Sequence, residues 1–249
     1  MTSFQIVSDI HIEKMYPKII DISTILTPSS RNLIIAGDIG RYSFIKEYYE
    51  KFLTDLCLLF EKVYFVPGNH EYYSDQKTIN DIKFDFLYLK NKISNLYILD
   101  DNGIDIEGTD IRLYGTTLWS KIPDHYNGYR PILYEPYKQV NTVWMNLQHY
   151  SSLFMLEKDV YKNVSNKKIV IISHYPPVNN TVLKDIHLKH PRRFYYSNNL
   201  KYILGKERIH TWIAGHTHHN FDFFEKGTRI VSNQFKGEGY VSDKVITIE

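Results

Sequence analysis

The sequence predicts an α/β fold whose strands are covered on both faces. Short apolar runs rich in β-branched residues recur along the 249-residue chain, and helical stretches separate some of them. Since these runs are continuously apolar rather than alternating, each strand is expected to be buried on two sides. A layered α/β protein is therefore predicted. No internal repeat, low-complexity tract or linker divides it, so a single domain over residues 1–249 is expected.

The individual elements follow from the same patterns. Strands are predicted over residues 4–7, 33–36, 63–66, 111–114, 169–172 and 211–214. Helices are predicted over residues 43–60, 78–92, 139–158 and 198–204, the last closed by Gly205. Short strands are also predicted over residues 221–225, 229–232 and 244–249. Because Gly-containing turns separate them, these strands are expected to form antiparallel hairpins.

Composition excludes several classes of protein. The chain has 30 basic and 28 acidic residues, a net charge of +2 and no basic run, so its charge indicates no nucleic-acid partner. The single cysteine, Cys57, lies in an apolar stretch and is expected in the core, which excludes an intrachain disulfide framework. No signal peptide or membrane-spanning stretch is found. We expect a soluble, cytoplasmic protein without a membrane partner, and the sequence leaves its oligomeric state open.

Polar side chains follow five of the predicted strands at the point where each strand ends. They are Asp9 and His11, Asp38, Asn69 and His70, His174, and His216 and His218. The carboxyl ends of parallel strands are where sites assemble in α/β sheets, so the five strand ends are expected to form one site. Asp9 and His11, like His216 and His218, are two residues apart, which in an extended segment places both side chains on one face.

These residue types indicate the chemistry of the site. Carboxylates, an amide oxygen and imidazoles, without thiolate, suit Mn, Fe, Zn or Ni. Without His70, the strand ends supply seven potential ligands. Seven ligands are too many for one transition-metal ion and are about right for two ions that share a carboxylate. Two ions roughly 4 Å apart can clamp phosphoryl oxygens and turn a bridging water into hydroxide.

The residues at the strand ends also match a known pattern. "SDIHIE", "GDIG", "GNHE", "SHYPP" and "GHTHH" resemble the five signature blocks of the calcineurin-like metallophosphoesterase superfamily, in the usual order. "GNHEYY", "LYGTTLWS" and "HTHHNFDFFEKGTRIVSN" further resemble its compact, single-domain bacterial and viral branch. The resemblance implies a four-layer αββα sandwich of two mixed β-sheets flanked by helices, with the metals at one edge.

The resemblance also implies a role for each residue. The first metal would be held by Asp9, His11 and His218, and the second by Asn69, His174 and His216. Asp38 would bridge them. His70 would face the scissile phosphate and aid the leaving group, while a metal-bridging hydroxide attacks phosphorus. The cofactors would be two divalent or trivalent ions (Mn, Fe, Zn or Ni), with Mn favoured for assay.

One departure from the superfamily pattern bears on the substrate. Phosphoprotein phosphatases of the superfamily carry a GDxxDRG-type block, whereas here Asp38 is followed by Ile39, Gly40 and Arg41. This favours a phosphomonoester or a small, nucleotide-like phosphodiester. A phosphoprotein phosphatase, a nuclease and a non-catalytic metal-binding scaffold remain as alternatives.

Other residues are weaker candidates for the site. Arg41, Arg192 and Arg193 are candidate phosphate contacts, although a charge run such as the arginine pair is more often part of a solvated basic loop. Residues 126–138 could form a lid or a packing loop. Glu71 could orient His70 or cap the next segment of the chain, and Asn220 and Asn233 are candidates to support the metal ligands.

Overall fold

The computed structural model describes residues 1–123, 134–135, 138–139, 142–162, 167–179 and 194–249. The strands are β1 Thr2–Val7, β2 Asn32–Ala36, β3 Lys62–Val66, β4 Leu96–Ile98, β5 Asn102–Asp105, β6 Ile111–Thr116, β7 Tyr134–Glu135, β8 Lys138–Gln139, β9 Lys168–Ser173, β10 Thr211–Ala214, β11 Asp222–Glu225, β12 Thr228–Val231 and β13 Val245–Ile248. The α-helices are α1 Lys46–Cys57, α2 Asn69–Tyr72, α3 Ile79–Lys92 and α4 Thr142–Tyr161.

Two mixed sheets form the centre of the fold. The first has the order β13-β1-β2-β3-β4, and the second has the order β11-β12-β10-β9-β6-β5. Strands β1 to β4 run parallel, as do β12, β10, β9 and β6. The edge strands β13, β11 and β5 pair antiparallel to their neighbours. The predicted α/β class with two mixed sheets is therefore confirmed.

Three apolar clusters hold four layers together. Between the sheets, Phe4, Ile34 and Tyr64 of the first sheet share a buried cluster with Leu113, Val170 and Ile213 of the second. The other face of the first sheet packs on α1 and α3, and the other face of the second packs on α4. Each fully buried side chain of this kind contributes about 1.5–3 kcal/mol. The αββα sandwich follows because both faces of each sheet are apolar and need a covering layer.

The predicted helices differ from the observed ones mainly at their ends. In place of one helix over 43–60, the chain forms a 3₁₀ turn at Tyr42–Phe44 and then α1, which ends at Cys57. Helix α4 begins and ends three residues later than predicted. Helix α3 begins where predicted, because the Thr78 hydroxyl accepts a hydrogen bond from the amide of Asp81 and caps it. Cys57 is buried, as expected.

The helix predicted over residues 198–204 is wrong, since residues 201–203 form a turn and the others have no regular secondary structure. Long-range hydrogen bonds hold the segment instead. The Asn198 side chain accepts from the amide of Lys121 and donates to the carbonyl of Leu118. The amides of Asn198 and Leu200 donate to Pro176 and Pro177. These contacts hold the start of the segment in a non-helical conformation.

The C-terminal strands are partly as predicted. β11 and β12 form the expected antiparallel hairpin. β13 does not continue it, because it crosses to the first sheet and pairs with β1, where Ile246 and Ile248 join the cluster between the sheets. β4 and β5 were not predicted, since they are only three and four residues long and β5 is largely polar. Within the described residues, no helix is long and apolar enough to cross a membrane.

Candidate metal centre

The polar residues after the strands converge through an unusual backbone. Five of them have positive φ angles, namely Asp9 (57°), His11 (52°), Asp38 (55°), His216 (72°) and His218 (54°). A left-handed residue other than glycine costs about 1–2 kcal/mol. The prediction that Asp9 and His11 share a face through an extended segment is therefore wrong. Tight left-handed turns at the strand ends aim the side chains inward.

Asp9, His11 and His218 form the first group of potential metal ligands. Nε2 of His11 lies 3.1 Å from Nε2 of His218. Nε2 of His218 lies 3.6 Å from Oδ1 of Asp9. Two ligands bound at about 2.1 Å to one ion lie about 3.0–3.4 Å apart, so these atoms are spaced as donors to a common cation. Asp9 is fixed by the Ser8 hydroxyl and by the amide of His216.

Asn69, His174 and His216 form the second group. Nε2 of His174 lies 2.9 Å from Oδ1 of Asn69 and 3.2 Å from Nδ1 of His216. Asn69 begins α2 directly after β3 of the first sheet, whereas the two histidines follow β9 and β10 of the second. The second group therefore spans the junction between the sheets.

Asp38 lies between the two groups. Its Oδ2 is 3.8 Å from Nε2 of His11 and 3.2 Å from Nε2 of His174. Its Oδ1 accepts a hydrogen bond from the amide of His70 at 2.8 Å. Burial alone would raise the pKa of Asp38, but the positive charges of protonated His174 and His70 hold it well below its usual range.

The outer ring nitrogens of the histidines are held by acceptors. Nδ1 of His174 donates to the carbonyl of Ala36, and Nε2 of His216 donates to that of Tyr195, both at 2.9 Å. Nδ1 of His11 lies 3.1 Å from Oε1 of Glu13. Such partners fix the tautomer of a metal-binding imidazole and aim its other nitrogen at the ion.

The donor set fits a transition-metal ion. In the described part of the chain, the buried carboxylates of Asp9 and Asp38 form ion pairs with histidines, and no lysine or arginine reaches them. Buried carboxylates need a nearby positive charge. Oxygen and imidazole donors match the preferences of Mn, Fe, Zn and Ni. Three sets of charged or imidazole donors in the described residues are each compact enough to hold one ion: Asp9–His11–His218, Asp38–His174–His216 and His11–Glu13–His70.

His70 lies beside this centre, partly exposed. Its Nε2 is 4.0 Å from Oδ2 of Asp38, and its Nδ1 is 3.0 Å from Oε1 of Glu13. Burial lowers the pKa of His70, but the carboxylates of Asp38 and Glu13 outweigh burial and raise it above its ordinary value. The Tyr73 ring lies 4.8 Å from the His70 ring, and the Arg41 guanidinium stacks 5.8 Å above Tyr73.

Three residues that position the site were given no definite role by sequence reasoning. Glu13 contacts both His11 and His70. Gln234 accepts from the amide of His218 at 2.5 Å. Glu71 neither contacts the His70 ring nor caps a following helix. Its carboxylate accepts from the amides of Asp38, Gly40 and Gly68 and from the Tyr49 hydroxyl.

The remaining weaker candidates have separate outcomes. Asn220 acts through Gln234, whose amide donates to Oδ1 of Asn220. Asn233 binds the backbone of Ile6 and Val241 rather than a metal ligand. Arg192 and Arg193 lie outside the described residues, as does most of the segment 126–138.

Comparisons with known proteins agree with this geometry. The profile of the calcineurin-like phosphoesterase family matches residues 3–220. An uncharacterised protein of Acanthamoeba polyphaga mimivirus is 26% identical over 221 residues, covering 81% of this chain and 77% of that protein.

Solved structures share the fold. A phosphopantetheinyl hydrolase from Mycobacterium tuberculosis superposes with a TM-score of 0.67 at 15% identity, covering 96% of this chain and 90% of that chain. A dimetal phosphatase from Danio rerio superposes with a TM-score of 0.51 at 12% identity, covering 95% of this chain and 88% of that chain. The chain therefore belongs to the calcineurin-like phosphoesterase family, whose members are metal-dependent phosphoester hydrolases, and is itself such an enzyme.

Proposed function

We propose that the protein is a dinuclear phosphoesterase that hydrolyses a phosphomonoester or a small, nucleotide-like phosphodiester. The observation that carries the proposal is the position of Asp38. Its Oδ2 lies 3.8 Å from Nε2 of His11 in one ligand group and 3.2 Å from Nε2 of His174 in the other. A buried carboxylate placed between two groups of donors supports two ions that share it.

The other ligands divide between the two ions. Asp9, His11 and His218 would hold one ion, and Asn69, His174 and His216 would hold the other. Ions held by these residues would supply positive charge to phosphoryl oxygens and would lower the pKa of a bound water. The chain contributes the rigid placement of the ligands, because Ala36, Tyr195 and Glu13 fix the imidazole rings.

His70 is proposed to donate a proton to the leaving oxygen. The Glu13 carboxylate accepts from Nδ1, so Nε2 is the nitrogen that points toward the centre. A carboxylate on Nδ1 also stabilises the imidazolium form, which is the form that can donate. His70 is outside the two ligand groups that Asp38 joins, and its own compact group with His11 and Glu13 overlaps the first of them. The proposal assigns Nε2 of His70 to the substrate rather than to an ion.

The leaving group is proposed to lie against Tyr73. The Tyr73 ring is next to His70, and the Arg41 guanidinium lies over the same ring. An aromatic ring beside the proton donor suits a base or another flat group, and Arg41 suits a further phosphate oxygen. Arg192 and Arg193 stay candidates for the same role.

Metal-stripped protein tests the proposal directly. With Mn²⁺ restored, p-nitrophenyl phosphate or bis-(p-nitrophenyl) phosphate should be hydrolysed, and the activity should rise with the second equivalent of metal. Asp38→Asn should remove this second step. Absence of turnover with Mn, Fe, Ni, Zn and Co alike would contradict the proposal.

A substrate panel should then include nucleotides, cyclic nucleotides, phosphopeptides and a phosphopantetheinyl ester. The last is included because the Mycobacterium tuberculosis neighbour is named for it. The proposal expects a small ester to be the preferred substrate. Preference for a phosphopeptide would instead support the phosphoprotein phosphatase alternative.

A further inference from the structure

Helix α4 has two apolar faces. One is buried in the fold and carries Met145, His149, Ser152, Leu156 and Val160. The opposite face carries Val143, Leu147, Tyr150, Phe154 and Tyr161, whose exposed fractions lie between 49% and 65%. A helix on the surface of a monomer normally presents charged and polar residues to solvent. We refer to the five exposed residues as the α4 seam.

The spacing of the seam is that of a helix that packs on another helix. Successive residues of the seam are separated by four, three, four and seven positions along the chain. This heptad-like spacing places their side chains in one line along a helix that supercoils with another. Residues 142–156 contain no Asp, Glu, Lys or Arg, so the helix itself contributes no charge over most of this face. The charges beside the seam come from neighbouring segments, since Lys121 lies over the Tyr150 ring and Arg208 over the Tyr161 ring. Depletion of charge marks the core of protein interfaces.

The exposed area is sufficient for a dimer of modest affinity. With aromatic side chains of about 150–250 Å², the five residues leave roughly 600–700 Å² accessible. Two such seams would bury roughly 1,200–1,400 Å², which lies at the lower end of the range for specific interfaces. Helix α3 also exposes apolar side chains, Phe84, Leu87 and Tyr88, but they span little more than one turn.

The pattern also indicates which partner fits. Val143 and Tyr161 each lie nine residues from Ser152, and Tyr150 and Phe154 each lie two residues from it. An antiparallel second copy therefore places Tyr150 against Phe154 of the partner subunit and Val143 against Tyr161 of the partner subunit. The same symmetry places Leu147 against Glu157 of the partner subunit. Self-complementarity of this kind is what a two-fold interface requires. Antiparallel helices also bring opposite dipole ends together.

We propose that the chain forms a two-fold homodimer through the α4 seam, with the two α4 helices packed antiparallel. This inference is independent of the metal centre. The dimer would cover the outer face of a helix whose inner face supports the site. His149 donates to the carbonyl of Trp119, and the Trp119 ring packs on Tyr175, which lies against His216.

Sedimentation of the full chain over a range of concentrations tests the dimer. The proposal expects a monomer–dimer equilibrium with a dissociation constant of about 1–100 µM, as suits an interface of this size. The double variant Leu147→Glu/Phe154→Glu should weaken the dimer more than about 100-fold, since it buries four like charges in one interface. Its circular dichroism should be unchanged, because both residues are exposed.

A matched control is available on α3. The double variant Phe84→Glu/Leu87→Glu adds the same charge at equally exposed positions and should leave the dimer intact. The proposal is overturned if the protein is monomeric at about 100 µM, which is the weak end of the expected range. It is also overturned if the dimer survives the α4 variant or is lost in the α3 control.

Spin labels test the antiparallel arrangement. Ser151 and Lys162 are exposed, and the native thiol of Cys57 is buried. Labels at Ser151→Cys lie next to the two-fold axis and should give a short distance between subunits. Labels at Lys162→Cys lie ten residues from the axis and should be about 30 Å further apart along the helices. Equally short distances at both positions would reject the antiparallel dimer.

Discussion

Oε1 of Glu13 lies 3.0 Å from Nδ1 of His70 and 3.1 Å from Nδ1 of His11. One carboxylate thus orients both a candidate metal ligand and the candidate proton donor. Burial raises the pKa of Glu13, but the hydrogen bonds and charges of His11 and His70 outweigh it and lower this pKa to about 2. Glu13 is therefore an ionised acceptor for both rings.

Glu13→Gln should lower kcat by about 10–100-fold, the usual effect of removing a group that orients a metal-bound histidine. The amide keeps the shape but cannot accept from both rings as a charged group does. Turnover and metal content should be measured together, and both should fall. Glu50→Gln is the matched control, since the partly buried Glu50 carboxylate binds the Tyr42 hydroxyl and Lys46, which lie outside the candidate metal centre. Unchanged kcat and metal content in Glu13→Gln would show that Glu13 does not position the site.

His70→Asn should lower kcat by about 10²–10⁴-fold, which is the usual contribution of general acid catalysis. The loss should be larger for an alkyl phosphate than for p-nitrophenyl phosphate, because p-nitrophenolate leaves without a proton. Metal analysis should show the wild-type metal content. Loss of metal, or an equal loss of rate for both esters, would mean that His70 is not the proton donor.

The convergence of the strand-end residues could be predicted from the sequence, whereas the residues that support them could not. Asp9, Asp38 and His174 follow long apolar strands, so their position at the strand ends could be derived from local pattern alone. Glu13 and Gln234 act through contacts made by folding: Gln234 meets His218 from sixteen residues away. The local periodicity of the sequence does not indicate contacts between residues distant in the chain. For the same reason it could not show that β13 pairs with β1 of the first sheet.

Gly37→Ala should displace His174 from the second ligand group and destabilise the fold. Gly37 has a φ of +87°, and an added Cβ would lie 2.4 Å from Nδ1 of His174. The imidazole would have to leave the carbonyl of Ala36, so we expect a loss of more than about 2 kcal/mol in the free energy of unfolding. Bound metal should also fall.

Gly108→Ala provides the matched control for this change. Gly108 has a similar φ of +72°, but no atom lies within 4 Å of the added Cβ. Only the backbone penalty of about 1–2 kcal/mol is expected, with metal content unchanged. Equal destabilisation and equal metal content in the two variants would show that the contact with His174 is not decisive.

Glu71→Gln should destabilise the fold by about 3–5 kcal/mol in metal-free protein. The buried carboxylate accepts three backbone amides and the Tyr49 hydroxyl, and an amide nitrogen in place of one oxygen would face donors. Urea unfolding of the metal-free chains measures the effect without a contribution from metal. Glu61→Gln, which affects only an exposed pair with Arg31, should cost less than about 1 kcal/mol. A similar small cost in Glu71→Gln would contradict the anchoring role.

His149 should make stability depend on pH in a way that can be isolated. Its ring is buried, Nδ1 donates to the carbonyl of Trp119 at 2.7 Å, and burial lowers its pKa below the ordinary value of 6.5. The unfolded chain therefore binds a proton before the folded chain does as the pH falls. Below about pH 6.5, protonation linked to His149 should decrease the free energy of unfolding by at most about 1.4 kcal/mol per pH unit. Above about pH 7.5, His149 should contribute no pH dependence to the free energy of unfolding.

His149→Asn keeps a donor near Trp119 and removes the titration. The difference in unfolding free energy between wild type and this variant should be largest at pH 7.5 and should shrink toward pH 5, because only the wild type loses stability through residue 149. The metal-site histidines titrate in both proteins, so their contribution cancels in the difference. Urea unfolding of both metal-free proteins across this range measures it. A difference that stays constant or widens in acid would show that His149 is not held neutral in the fold.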